Sequence, residues 1–269
     1  MTDNKQQINS VSSPSPLGEL EGAFSPISLA EMEGVRLMNR TDTKYVTNAA
    51  CLQQLMAQLS ADYYMQEINH SALNPYETIY MDTPNCDMFL THHSGKAQRE
   101  KVRTRKYVDA DLCFLEVKNK NNKGVTRKKR VELMTAEDIS LEGEELLDKY
   151  SSFQLQELTP HVETTYERIT LVNRAKTERL TIDVNLGFKN LRTGITKQLP
   201  DLVIIELKQQ QGDHHSKAKA LLNDLRLRPT GMSKYCIGAA LTNPDLKQNR
   251  FKMKLKQLDK LINRNGISR

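Results

Sequence analysis

The 269-residue chain contains no tryptophan, and aromatic residues make up only 6% of it. Stacking platforms for unpaired bases are therefore scarce, and neither a zinc-finger spacing nor an aromatic RNA-binding signature is present. Nucleic acid is not expected as the main partner. The four cysteines, Cys51, Cys86, Cys113 and Cys236, are far apart and form no CxxC pair. That excludes a zinc ribbon and gives no sign of a disulfide framework. No apolar run approaches the roughly 18 residues needed to span a bilayer. The opening MTDNKQQINS lacks the charged-then-apolar pattern of an export signal. These absences lead to the expectation of a cytoplasmic protein.

What is present is charge. The 39 Lys and Arg residues outnumber 33 Asp and Glu, a formal net charge of +6 that favours anionic partners without specifying one. Residues 1–22 are polar with a Ser-Pro-Ser-Pro stretch and are expected to be a disordered lead-in. Leu52, Leu55, Met56 and Leu59 recur at helical spacing over 49–59, with Thr47 or Asn48 as the cap. Strand patterns occupy 76–82, 99–108, 112–120, 125–133, 163–172, 179–186 and 202–208. Asp109–Asp111 and Asn121–Gly124 supply the turns between the second, third and fourth of them. Helices are expected over 137–150, over 215–226 and from Ser233. The pattern is α+β with a largely antiparallel sheet. Domain bounds of 23–243 and 244–269 follow, the second being a basic amphipathic helix or tail.

Side chains alternate faces along a strand, so parity separates two surfaces. Lys101, Arg103, Arg105 and Tyr107 share one, as do Phe114, Glu116, Lys118 and Lys120, whereas Cys113, Leu115 and Val117 lie opposite. Arg179, Thr181, Asp183 and Asn185 oppose Leu180, Ile182, Val184 and Leu186. Tyr166, Arg168 and Thr170 oppose Ile169 and Leu171, and Glu206 and Lys208 oppose Val203, Ile205 and Leu207. An amphipathic sheet with one face in water accounts for any single strand. Repetition strand after strand, rich in Arg with single Glu residues among the cations, instead fits a sheet curled so that its charged face points inward. Unpaired buried charges cost several kcal/mol each, so such a lumen must hold water, counter-ions or a polyanion. The Arg fork matches phosphate oxygens, and each charge-assisted bond contributes roughly 1.5–3 kcal/mol. A minority of Glu suits Mg²⁺ or Mn²⁺, which bind through one or two carboxylates plus substrate phosphates.

Eight segments in order, RTDTKYV (40–46), KVRTRKY (101–107), FLEVKNK (114–120), TRKKRVEL (126–133), TYERITL (165–171), RLTIDVNL (179–186), LPDLVIIELK (199–208) and SKYCIGAAL (233–241), resemble the VTC domain. That family is the polyphosphate polymerase branch of the triphosphate tunnel metalloenzyme superfamily. The resemblance implies an antiparallel β tunnel barrel of about eight strands, open at both ends, with helices packed outside and a C-terminal amphipathic helix. It also implies ATP or another nucleoside triphosphate and inorganic polyphosphate as ligands, with Mn²⁺ or Mg²⁺. By motif the phosphate ligands would be Lys44, Arg103, Arg105, Lys118, Arg168, Arg179 and Lys234, with Lys128 and Arg130 as further members. Glu206 would be the metal ligand, and Glu116 would support the metal from behind its ligands or pair with an Arg. The chain departs from eukaryotic relatives in lacking an SPX domain and membrane segments, as a stand-alone bacterial-type form would.

The function expected is transfer of the γ-phosphoryl group of ATP onto polyphosphate; a tunnel triphosphatase and a non-catalytic polyphosphate-binding module are the alternatives. His92-His93 and His214-His215 are set aside as metal ligands, because adjacent histidines on a strand point apart. Phe251, Leu255, Leu258 and Ile262 form one stripe of a C-terminal helix, expected to dock on the domain. Binding to the inner membrane surface or to a membrane-protein partner is the other use for that helix.

Overall fold

The computed structural model describes residues 22–32, 40–136, 138–210 and 215–263. The expected disordered lead-in falls outside the described residues except for Gly22, and so does His214. Eleven strands form one sheet: β1 (Ser25–Ile27), β2 (Arg40–Asn48), β3 (Tyr63–Gln66), β4 (Asn74–Asp82), β5 (Arg99–Tyr107), β6 (Leu112–Lys120), β7 (Thr126–Leu133), β8 (Thr159–Asn173), β9 (Glu178–Asn190), β10 (Thr196–Leu199) and β11 (Leu202–Gln210). The main path runs β2-β11-β9-β8-β4-β5-β6-β7, and every neighbour on it is antiparallel. Among the described residues β2 and β7 do not pair with each other, so the sheet is a curled half-barrel. The helices are α1 (Leu29–Met32), α2 (Ala49–Leu59), α3 (Asp87–His93), α4 (Leu141–Tyr150), α5 (Lys217–Asp224), α6 (Lys234–Thr242) and α7 (Lys252–Ile262). None of the described helices is long and apolar enough to cross a membrane.

The apolar parity of the strands forms the convex face. Asn48 Oδ1 accepts the Cys51 N–H at 3.0 Å and starts α2. That helix buries Leu52, Leu55, Met56 and Leu59 with Ile169, Leu171, Leu180, Ile182, Val203, Ile205 and Leu207 of the sheet and Leu221 and Leu222 of α5. Each fully buried leucine stabilises by about 1.5–3 kcal/mol. Helix α4 lies on β6 and β7; of the stretch expected to be helical, residues 138–140 lie before its start at Leu141 and 137 lies outside the described residues. Gly143 falls inside it because a Cβ there would stand 2.5 Å from Ile139 Cγ2 and 3.3 Å from Leu115 Cδ2. Close approach of helix and sheet explains the glycine.

The concave face is not uniform. Between β8 and β9 the register slips, so that Tyr166 alone faces the two residues Asn185 and Leu186. Asn185 adopts φ 52° and hydrogen-bonds Glu167, leaving the side occupied by Asp183. The parity of β9 therefore changes beyond the bulge. Leu186 and Phe188 join Val162, Leu202 and Ile204 in an apolar patch, and α6 packs on it through Tyr235, Cys236, Ile237 and Ala239. A Cβ on Gly238 would lie 2.5 Å from Phe188 Cδ1 and 3.0 Å from Val162 Cγ1. One helix, α6, thus packs on the concave face, in addition to the helices expected outside the sheet.

Two further expectations change. His92 and His93 lie on helix α3, not on a strand. That helix starts at Cys86 with φ 62° and no side-chain cap; the Asp82 carboxylate instead accepts the N–H groups of Met88 and Phe89, both at 2.9 Å. Helix α7 docks as expected, with Leu258 buried and Phe251, Leu255 and Ile262 packed on the same core.

Candidate active site

Cross-strand partners share a face, so the register assigns the lumen. Arg103 faces Glu116, which faces Arg130; Lys101, Lys118 and Lys128 form the next row; Arg105 pairs with Thr78 and Phe114. On the other flank Arg168 faces Asp183, Arg179 faces Lys208, and Glu206 faces both Lys44 and Thr181. The fold brings all of these onto the concave face, and Lys234 joins them from the first turn of α6, which Ser233 caps by accepting the Cys236 N–H. Arg130 lies with its guanidinium 4.3 Å from the Phe114 ring centroid.

Two carboxylates are fully committed. Glu116 is completely buried; its Oε2 accepts Arg103 Nε at 2.7 Å and Nη2 at 2.5 Å, and its Oε1 accepts Lys128 Nζ at 2.8 Å. Burial would raise its carboxyl, but Arg103, Arg105 and Lys128 hold it well below the usual range. Both Glu116 oxygens are thus engaged, by Arg103 and Lys128. Asp183 takes Arg168 Nε at 2.6 Å and Nη2 at 3.0 Å, and it also accepts Lys234 Nζ. Burial opposes its ionisation too, and Arg168 and Lys234 prevail. These bonds orient the two arginines, and rings fix them further: Arg103 lies over Tyr80 at 5.7 Å, Arg168 over Tyr76 at 4.9 Å, and Lys234 over Tyr166 at 3.8 Å.

Glu206 is held differently. Its oxygens lie 3.7 Å from Lys44 Nζ and 3.7 Å from Lys208 Nζ, beyond hydrogen-bond length. Burial pushes the carboxyl up, yet Lys208, Lys44, Lys118 and Arg168 bring it to about 2, so it is an anion with oxygens to spare. Among the described residues no three His, Cys, Asp or Glu side chains gather into an all-protein metal cage. Asp42, opposite Lys208 on the same face, is bonded to Arg40, whereas Glu206 is a hard-oxygen donor of the kind that suits Mg²⁺ or Mn²⁺.

The cations are short of partners. Desolvation, then Lys44 and Arg103, lowers the Lys118 ammonium to about 8; desolvation, against the pull of Glu206, lowers Lys208 to about 8 as well. Arg179 Nε is buried with no hydrogen-bond partner, as are Tyr166 Oη and Thr181 Oγ1 on the same face. Parity alone would have included Lys101 and Lys208, which the motifs passed over. Tyr80 had no such indication. Its hydroxyl accepts Arg103 Nη1 at 3.2 Å; burial raises it, but Arg103, Arg105, Lys234 and Lys101 bring it down to about 8.

The curled antiparallel sheet thus presents clamped arginines, underpaired lysines and a loosely held Glu206 on its concave face. Residues 39–243 match the family model described as the VTC domain, and the chain belongs to that family. None of the curated proteins compared with the chain matches it. Similar solved structures include a candidate adenylate cyclase from Bacillus halodurans at 15% identity, covering 80% of this chain and all of that one with a TM-score of 0.48. A candidate adenylate cyclase from Vibrio parahaemolyticus is 14% identical, covers 75% and 98% and has a TM-score of 0.43. A Hippeastrum protein, described as a candidate adenylyl cyclase with dominant triphosphatase activity, is 15% identical over 76% and 97%, with a TM-score of 0.44.

Proposed function

We propose that this protein is a metal-dependent polyphosphate polymerase, acting on cytoplasmic ATP. The bond between the γ-phosphorus and its bridging oxygen breaks, a terminal polyphosphate oxygen bonds to that phosphorus, and ADP leaves. Such an oxygen is already largely ionised near neutral pH, so no general base is required. The observation that carries this reading is the state of the carboxylates: Glu116 and Asp183 are both tied to arginine and lysine, which leaves Glu206 open. A hydrolase would need a group to position and deprotonate water, and Glu116, the candidate in the sequence, is engaged by Arg103 and Lys128.

In this reading Arg103, Arg105, Arg168, Arg179, Lys44, Lys118 and Lys234 orient the phosphates and neutralise charge on the transferring group, the principal tasks in phosphoryl transfer. Lys101 and Lys208 extend the set, and Lys128 serves mainly to hold Glu116. Mn²⁺ or Mg²⁺ would be held by Glu206 and would supply Lewis-acid neutralisation of phosphate charge. The test supplies purified protein with ATP and Mn²⁺, follows polymer on a stained gel and measures free orthophosphate. Long polymer is the expected product. Orthophosphate alone would replace this reading with a triphosphatase, and neither product with polyphosphate binding intact would leave a binding module.

A further inference from the structure

The cationic face does not end at the putting-together of a triphosphate site. On β5 the alternation continues outward from Arg103 through Lys101 to Arg99, and on β6 from Lys118 to Lys120, with Arg99 opposite Lys120. At a rise of about 3.4 Å per residue, Arg99 and Arg105 stand about 20 Å apart along the strand. That is a longer track than three linked phosphates occupy. Helix α7 brings a further cation to the same end. Lys254 Nζ donates to Gly231 O, two residues from Ser233, whose Oγ accepts Lys101 Nζ at 2.7 Å. Cys236 Sγ lies 3.2 Å from His92 Nδ1 in the same neighbourhood. Burial, then Lys101, Arg99, Lys254 and Lys120, lowers the His92 imidazole to about 3, so cations of β5, β6 and α7 act together on one ring.

None of the ion pairs among the described residues includes Arg99, Lys101, Lys120 or Lys254. Arg99, Lys101 and Lys254 instead donate to neutral oxygens, those of Lys96, Ser233 and Gly231. Clustered like charges without counter-charges are unfavourable and attract a linear polyanion. We propose that Arg99 and Lys120, joined through Lys101 to the lumen and completed by Lys254 of α7, form a second polyanion site that holds phosphate units beyond the triphosphate. It rests on the polymerase reading and adds a chain-length preference to it. The C-terminal helix, which lies beyond the matched residues 39–243, thereby becomes part of the polymer path.

The test compares inorganic tripolyphosphate with long-chain polyphosphate as probes, on the wild type and on K120Q/K254Q, across a salt series. The wild type should bind the long chain more tightly. The double variant should keep tripolyphosphate affinity, which also reports an intact lumen, while losing about tenfold in long-chain affinity, or about 1.4 kcal/mol. Its log-affinity slope against log salt should fall by about 1–2 for the long chain alone. Equal wild-type affinity for both probes, an unchanged long-chain affinity in the variant, or an equal loss for both probes would overturn the proposal. Failure of the wild type to bind either probe would instead remove the polymerase reading on which it rests.

Discussion

At the residue scale the two kinds of carboxylate make opposite predictions. Glu206 contacts its lysines only at 3.7 Å, so its removal leaves the cations in place and lowers the negative charge among them. Glu206→Ala should abolish turnover with Mn²⁺ while tripolyphosphate binding, followed by calorimetry, stays equal or tightens; unchanged turnover would remove its metal role. Arg103→Ala should do the reverse of a surface change. It removes a phosphate fork and strands the fully buried Glu116 with Lys128 alone, a loss of about 3–5 kcal/mol of folding stability together with weaker nucleotide binding. Chemical denaturation and nucleotide titration check the two halves, and wild-type affinity would take Arg103 out of the lumen. Strand parity made Arg103, Glu116 and Glu206 legible from the sequence, because alternation survives wherever the strand is regular. It did not reveal that Asp183 orients Arg168 and Lys234, since Lys234 arrives from a helix 51 positions away.

At the scale of the element, the β5–β6–β7 meander follows the sequence closely, because period-two alternation and the Asn121–Gly124 turn, with Gly124 at φ +80°, each specify it locally. The bulge at Asn185 had no such local mark, so the switch of Leu186 and Phe188 to the concave side became visible only in the fold. Strands β1, β3 and β10 are only three or four residues long, too short for any periodicity. Helix α3 escaped notice because its N-terminus is satisfied by Asp82, outside the helix, rather than by a capping residue. Seating of α6 inside the curl depends on Gly238. Gly238→Ala sets a Cβ against Phe188 and should lower the thermal midpoint, by an overpacking cost of about 1–3 kcal/mol. An unaltered midpoint would contradict that seating.

At the scale of the whole molecule, the lumen is a store of unfavourable charge that a polyanion would relieve. Lys118 and Lys208, ordinarily near 10.5, titrate near 8 in the free protein. Between those values the unfolded chain binds more protons at these positions than the folded one, so their contribution makes the free protein more stable as pH rises through that window. A bound polyanion favours the charged ammonium groups and raises them again. Tripolyphosphate binding near pH 8 should therefore take up protons, seen as a dependence of calorimetric heat on buffer ionisation, and its affinity should fall as pH rises further. Binding without proton uptake would place the anion away from both lysines. The central claim, that this channel moves a phosphoryl group onto a growing chain, is tested most directly by ³¹P NMR of the wild type and Glu206→Ala incubated with ATP and Mg²⁺. The wild type should convert the γ-phosphate resonance into internal polyphosphate signal with a matching appearance of ADP, and the variant should leave ATP intact. Orthophosphate appearing in place of internal polyphosphate, or identical spectra from the two proteins, would contradict it.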